Sequence, residues 1–307
     1  MARAGRRLLY AAATSDRLEG LVTRSAFLRR RALAHARRYV AGETLADALT
    51  TTRTLVSQGL AVSVDRFGEG LHDREAIGAI VDEYCEMARA IANVDGDLDL
   101  EVVPSHLGID LSVEYFCEQI RQIAAVLPEA ARLEISAEES HRTPGIVDAE
   151  LALAAEGVPV VATLQANLRR TASDARRLVD AQVPIRLVKG AYLEPANVAY
   201  PWGRSVDVAF VRLAHQINHD GGRLTLATHD AVIREALLPA VDGVGIEMLL
   251  GVHTEDAVDL LARGHHVRIY VPYGSEWFRY WMRRVARAAA PDPVQTCREV
   301  TSAATVH

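Results

Sequence analysis

The chain has 307 residues, of which 50% are apolar, 24% charged and 6% aromatic, values that exclude a disordered, collagen-like or low-complexity polypeptide. Its 34 Lys and Arg against 40 Asp and Glu give a formal net charge of -6, so no electrostatic feature points to nucleic acid as a partner. No apolar run reaches the roughly 18 residues of a membrane-spanning helix, and Cys85, Cys117 and Cys297 are too few and too scattered for a disulfide framework or a metal cluster. A reducing cytoplasm is the expected location.

The N-terminus, with Arg3, Arg6 and Arg7 before the apolar residues 8–13, has the outline of a short signal. Asp16, Arg17 and Glu19 follow at once, without an Ala-x-Ala site, so the segment reads as a helix of the mature protein. Up to residue 58 the chain is rich in Ala, Leu and Arg and has no Pro, which predicts further helix. Short β-branched runs then recur at 60–65, 100–105, 133–138, 159–165, 185–192, 224–230, 245–251 and 267–274. Helical periodicity fills the gaps at 73–92, 113–126, 171–181 and 254–263. Successive strands start 21 to 40 residues apart. Eight strand–helix units predict an α/β fold of the (β/α)8 barrel type, and no Gly-x-Gly-x-x-Gly follows the first strand to favour an open dinucleotide-binding sheet. The chain then divides into a helical segment (1–58), a barrel (59–290) and a tail (291–307).

A barrel carries its active site at the C-terminal ends of its strands. In order, those ends read Asp65-Arg66, Ser105-His106, Glu138-Glu139, Gln165, Lys189-Gly190-Ala191-Tyr192, Thr228-His229-Asp230, Leu249-Leu250 and Tyr270 with Tyr273. Polar residues concentrate there, and the strand bodies are expected to be apolar. Lys189 is the single Lys beside 33 Arg, which marks a position where a slender ammonium is needed and a forked guanidinium would not fit. Gly190 beside it would let backbone approach a ligand. His229 has no second His or Cys at ligand spacing, so a hydrogen bond to a cofactor suits it better than a metal, and none is expected. No Gly-x-Ser-x-Gly elbow supports a nucleophilic Ser. Arg283-Arg284, near Tyr280, could clamp a carboxylate bidentately. Of Glu138 and Glu139, strand alternation allows at most one to face the site.

Together, Arg186-Leu187-Val188-Lys189-Gly190-Ala191-Tyr192, Ala227-Thr228-His229-Asp230, the run 247–252 and Arg268-Ile269-Tyr270-Val271-Pro272-Tyr273-Gly274 resemble the FAD-dependent proline dehydrogenase family. Phe67-Gly68-Glu69, His106-Leu107-Gly108 and Ala137-Glu138-Glu139 extend the match over roughly residues 20 to 290. The resemblance implies a barrel with N-terminal helices and a C-terminal helix carrying the paired arginines over the barrel mouth. It also implies FAD bound noncovalently by Ala137, Gln165, Arg186, Lys189, Gly190, Ala191, Thr228 and His229, with oxidation of a substrate C–N bond by hydride transfer from its carbon to flavin N5. Arg186 and Ser136 are then the catalytic positions, Arg186 being the cation near the reactive flavin edge. Arg283 and Arg284 become the substrate-carboxylate clamp, Glu69 its gating partner, and Tyr270 and Tyr280 pocket walls. The implied partners are a small amino-acid-like substrate and a quinone acceptor, which would bring the protein to the inner face of a membrane as a peripheral visitor.

Three positions depart from the family. Val103 stands where it has a substrate-pairing Lys, Ser136 where it has an active-site Asp, and Arg287 where it has an acidic residue. Losing one charge-assisted contact costs about 1.5–3 kcal/mol. The departures therefore open a second substrate class beside proline, a proline-like or hydrazine-type amino acid. The residues also leave room for a catalytically silent FAD-binding relative, or for a lyase that uses Lys189 as a Schiff base.

Overall fold

The computed structural model describes residues 25–68 and 70–288. Residues 1–24 of the N-terminal segment and the whole C-terminal tail read from the sequence, with Glu69 and the side chains of Arg283 and Arg287, lie outside the described residues. Residues 41–274 form one compact unit, and the described residues 25–40 and 275–288 belong to a second.

The larger unit opens with helix α2 (Leu45–Ser57), which follows α1 (Ala26–Ala36) of the other unit. A reciprocal pair of hydrogen bonds between Thr44 and Asp47 caps α2, satisfying backbone donors that a helix start leaves free. Strand and helix then alternate: β1 (Ala61–Arg66), α3 (Arg74–Ile91), β2 (Leu98–Val102), α4 (Val113–Ala124), β3 (Leu133–Ile135), α5 (Thr143–Ala155), β4 (Val160–Gln165) and α6 (Thr171–Asp180). The series continues with β5 (Ile185–Val188), α7 (Arg204–His219), β6 (Leu224–Ala227), α8 (Ala231–Leu237), β7 (Gly245–Leu249), α9 (Thr254–Ala262) and β8 (Val267–Tyr273). Asp73, Ser112 and Asp230 cap α3, α4 and α8 with side-chain oxygens, so three loops end in the residue types that start helices.

All eight strands pair in parallel, and β1 closes on β8, so the sheet is a closed barrel in strand order. Eight strands occur where eight were expected. The second ends early because Pro104, which has no N–H to give a ladder, opens a 3-10 turn over Pro104–His106. Alternate strand residues such as Val64, Leu100, Leu133, Leu187, Leu226, Ile246 and Val271 join the helices in one apolar layer. Each such burial is worth about 1.5–3 kcal/mol.

The expectation of apolar strand bodies is wrong. The interleaved positions carry buried Ser63, Asp99, Glu101, Glu134, Arg186, Glu247 and Arg268. Parallel strands bury both faces, and a polar side chain survives burial when another polar side chain reaches it across the sheet. The register makes this possible: Asp65 stands beside Glu101, Glu101 beside Glu134, and Glu247 beside Arg268.

In the smaller unit, α10 (Trp277–Ala288) gathers Trp277, Phe278 and Trp281, with ring centroids 5.9–6.0 Å apart. Offset and edge contacts of that kind hold aromatic pairs together.

Candidate active site

Arg186 on β5 is the centre of the polar interior. Its Nη1 donates to Glu101 Oε1 at 3.1 Å, Nη2 lies 2.5 Å from Glu247 Oε1, and Nε lies 3.5 Å from Glu134 Oε1. The three carboxyl groups have oxygens within 4.8 Å of one another, an arrangement able to hold a cation, and the guanidinium supplies that charge. Arg186 also stands 5.9 Å from the ring centroid of Tyr270, a residue in the middle of β8 and not at its end. The Tyr270 hydroxyl donates to Asp65 Oδ2, and Ser136 Oγ donates to Glu101 Oε1. Ser63 Oγ donates to Glu134 Oε2 at 2.6 Å.

Four carboxyl groups around one guanidinium cannot all ionise in a desolvated interior. Burial pushes Asp65 up to about 6 against the pull of Tyr270 and Arg186, and pushes Glu101 up to about 8 against Arg186. Burial also raises Glu247 well above the usual range, with Glu134 and Glu101 adding to it. Glu134 goes the other way: burial opposes its charge, but Arg186, Arg268 and Ser63 together hold it below its ordinary value. Glu134 is thus the most readily ionised of the four carboxyl groups beside Arg186.

Around the C-terminal ends of β3 to β6 the structure brings together most of the expected cofactor residues. Gln165 donates from Nε2 to the Glu138 carbonyl at 2.7 Å. His229 Nε2 accepts the Leu249 N–H at 3.1 Å, which leaves a neutral ring with its proton on Nδ1. The Thr228 hydroxyl accepts the Asp230 N–H at 3.2 Å. Lys189 follows β5 directly and places Nζ 2.7 Å from both Asp207 and Asp230. A point charge meeting two acids from different helices explains why this position keeps its Lys. Gly190 takes φ +108°, and a Cβ there would stand 2.2 Å from the Asn167 Oδ1, so its bareness accommodates a neighbouring side chain. Ala137, Ser136 and Val103 are half-buried beside these groups, and Ala191 is exposed.

Glu138 and Glu139 lie beyond the end of β3, where the alternation expected of a strand does not apply; Glu138 is buried and Glu139 pairs with Arg142. Glu138 faces Ser105, accepting its N–H at 2.7 Å and its hydroxyl at 2.5 Å. Ser105 in turn accepts the Gly70 N–H on Oγ at 3.0 Å and the Leu71 N–H on its carbonyl at 2.9 Å, which anchors the loop after β1. In the smaller unit, the Arg284 guanidinium lies 4.9 Å from the Tyr280 ring centroid, one helical turn away on α10.

Sequence reasoning missed Glu101, Glu134 and Glu247 as members of the site. The available signal was an acidic residue within each of three short apolar runs, on strands whose faces are both buried.

A closed parallel barrel whose polar side chains gather inside and at the C-terminal strand ends is the scaffold of a barrel enzyme. Residues 48–290 match the family described as Proline dehydrogenase. Proline dehydrogenase 1 of Bacillus subtilis subsp. natto is 31% identical over 264 residues, covering 83% of this chain and 87% of the relative. The Deinococcus radiodurans proline dehydrogenase is 31% identical over 264 residues, covering 82% and 85%. The chain belongs to the proline dehydrogenase family, oxidoreductases that act on a CH–NH group. Among solved structures, proline utilization A from Bdellovibrio bacteriovorus, inactivated by N-propargylglycine, superposes with a TM-score of 0.77 at 16% identity over 86% of this chain. The Bradyrhizobium japonicum proline utilization A mutant D779Y gives 0.69 at 20% over 84%. The chain spans 34% and 31% of those two longer proteins, and the likeness concerns the fold.

Proposed function

We propose that the protein is an FAD-dependent dehydrogenase that oxidises a C–N bond of proline or a proline-like small amino acid. The observation that carries this reading is that the segments shared with the family lie on consecutive strand ends of one closed barrel, around a buried cation. The groups present suit such a cofactor chemically. The Thr228 hydroxyl and the Nδ1–H of His229 are donors for a nitrogen- and oxygen-rich ring system, and Asn167 Oδ1 is buried without a hydrogen-bond partner. A bound FAD supplies the two-electron acceptor that no side chain can provide.

The residues of this chain would do the rest. Arg186 keeps a permanent positive charge in the barrel interior, favourable to an anionic reduced state. Gln165, Lys189, Gly190, Ala191 and Ala137 shape the cofactor seat. Arg283 and Arg284 hold the substrate carboxylate, Tyr270 and Tyr280 wall the pocket, and Glu69 gates it. A quinone takes the electrons away. Among the described residues no helix is long and apolar enough to cross a membrane, so contact with a membrane acceptor would be peripheral.

Val103 and Ser136, which is tied to Glu101, leave the pocket without the family's Lys and Asp, so a proline-like amino acid that places an apolar or differently polar group there is favoured over proline itself. The test is the absorption spectrum of the purified protein, followed by anaerobic mixing with proline, hydroxyproline, N-alkyl glycines and hydrazino acids. A flavin spectrum bleached by one of these is the expected result. No flavin, or a flavin that none of them reduces, removes the proposal.

A further inference from the structure

Residue 136, directly after β3, presents a hydroxyl, which cannot balance a guanidinium. Its Oγ instead donates to Glu101 Oε1, the same oxygen that accepts Arg186 Nη1 at 3.1 Å. One carboxyl oxygen thus joins the end of β3 to the central cation of the barrel. Glu101 is 4% exposed, and its other oxygen, Oε2, is buried without a hydrogen-bond partner. Arg186 in turn faces the Tyr270 ring, whose hydroxyl is held by Asp65. We propose that Glu101 is a positioning residue for the oxidation: it holds Arg186 in place through Oε1 and carries the acidic function that the Ser136 hydroxyl lacks.

The inference rests on the proposed flavin chemistry, and it predicts how the site responds to pH. Glu101 is faced by Arg186 from β5, Asp65 from β1, Glu134 and Ser136 from β3, and Glu247 from β7. Among these only Arg186 is a cation, so Glu101 accepts both hydrogen bonds in either protonation state and adds a negative charge to the cluster only on the alkaline side, through about 8.

The experiment uses the FAD-loaded full chain. Flavin bleaching by proline, or by the best substrate of the screen, is followed from pH 6 to 9 for the parent, Glu101→Leu, Glu101→Gln and Glu101→Leu/Ser136→Asp. Glu101→Leu should slow the maximal rate at least about tenfold, with FAD retained and KM changed much less. Glu101→Gln keeps an acceptor oxygen, so it should stay near the parent at pH 6 and lose the parent's change in rate near pH 8. Ser136→Asp should restore much of the rate lost in Glu101→Leu, because a carboxylate on the adjacent strand can reach the same guanidinium. An unchanged rate in Glu101→Leu, no rescue by Ser136→Asp, or a Glu101→Gln profile identical to the parent overturns the proposal. If the parent binds no flavin, the functional reading fails by itself. A thermal double-mutant cycle of Glu101→Leu with Arg186→Leu then still decides whether the two side chains are coupled, and additivity would refute the link.

Discussion

Glu150 on α5 is an ionisable group with no evident partner: fully buried, with both carboxyl oxygens lacking a hydrogen bond. Burial, and then the nearby charge of Asp174, raise its pKa well above the ordinary value. The unfolded chain releases this proton near pH 4.5 and the folded chain keeps it, so the folded state binds more protons above that pH and stability falls as pH rises. Glu150→Gln removes that dependence. It should be more stable than the parent at pH 8 and differ little from it at pH 4.5, read from thermal unfolding at the two pH values. An equal effect at both would show that the carboxyl never carried a proton-linked cost. Lys189 presents the opposite case, a charge with two partners. Lys189→Ala leaves Asp207 and Asp230 facing each other without a cation, and it should weaken flavin retention by loosening the start of α8 and the loop before α7. Absorbance after desalting measures this, and retention equal to the parent would separate the Lys from the cofactor seat.

Loops after the strands carry the site, and their conformations depend on a few glycines. Gly190 follows β5 with φ +108° and the Asn167 Oδ1 2.2 Å from where a Cβ would stand, so Gly190→Ala should destabilise by about 1–3 kcal/mol. Gly78, inside α3 with open space around it, should do the reverse, since Gly78→Ala removes unfolded-state freedom and gains about 0.5–1 kcal/mol. Denaturant unfolding of the two variants tests the contrast, and the same sign for both would contradict it. The helices themselves are largely readable from the chain. Asp73, Ser112 and Asp230 announce their starts, and α3, α4, α6 and α9 show the periodicity expected of one buried face. Helix α5 is nearly uniform in its apolar residues and offers less signal of that kind.

At the scale of the barrel, the interior acids make stability depend on pH as a group. Asp65 holds its proton to about 6 and Glu101 to about 8, whereas both would release it near 4 to 4.5 in the unfolded chain. Stability from these groups is complete at low pH and is lost as pH rises through those values, while Glu134, held low by the arginines, contributes in the opposite direction at acid pH. The melting temperature should therefore decline from pH 6 to pH 9, and Glu101→Gln should flatten that decline. A curve that rises over this range, or one unchanged by the substitution, would show that Glu101 is ionised throughout. Composition and the rhythm of eight apolar runs were enough to point to the barrel, because period and spacing are local properties of the chain, but closure, which periodicity cannot show, is given by the pairing of β1 with β8. The polar residues at the strand ends were legible for the same reason, as they sit where each run stops. The acidic cluster was not legible. Glu101, Glu134 and Glu247 lie 33 and 113 residues apart in sequence, and only closure of β1 on β8 with its particular register turns them toward one guanidinium. Which charges meet, which oxygens keep their protons and what Ser136 touches are decided by that closure, since a buried ion's energy depends on neighbours in space and not on neighbours in the chain.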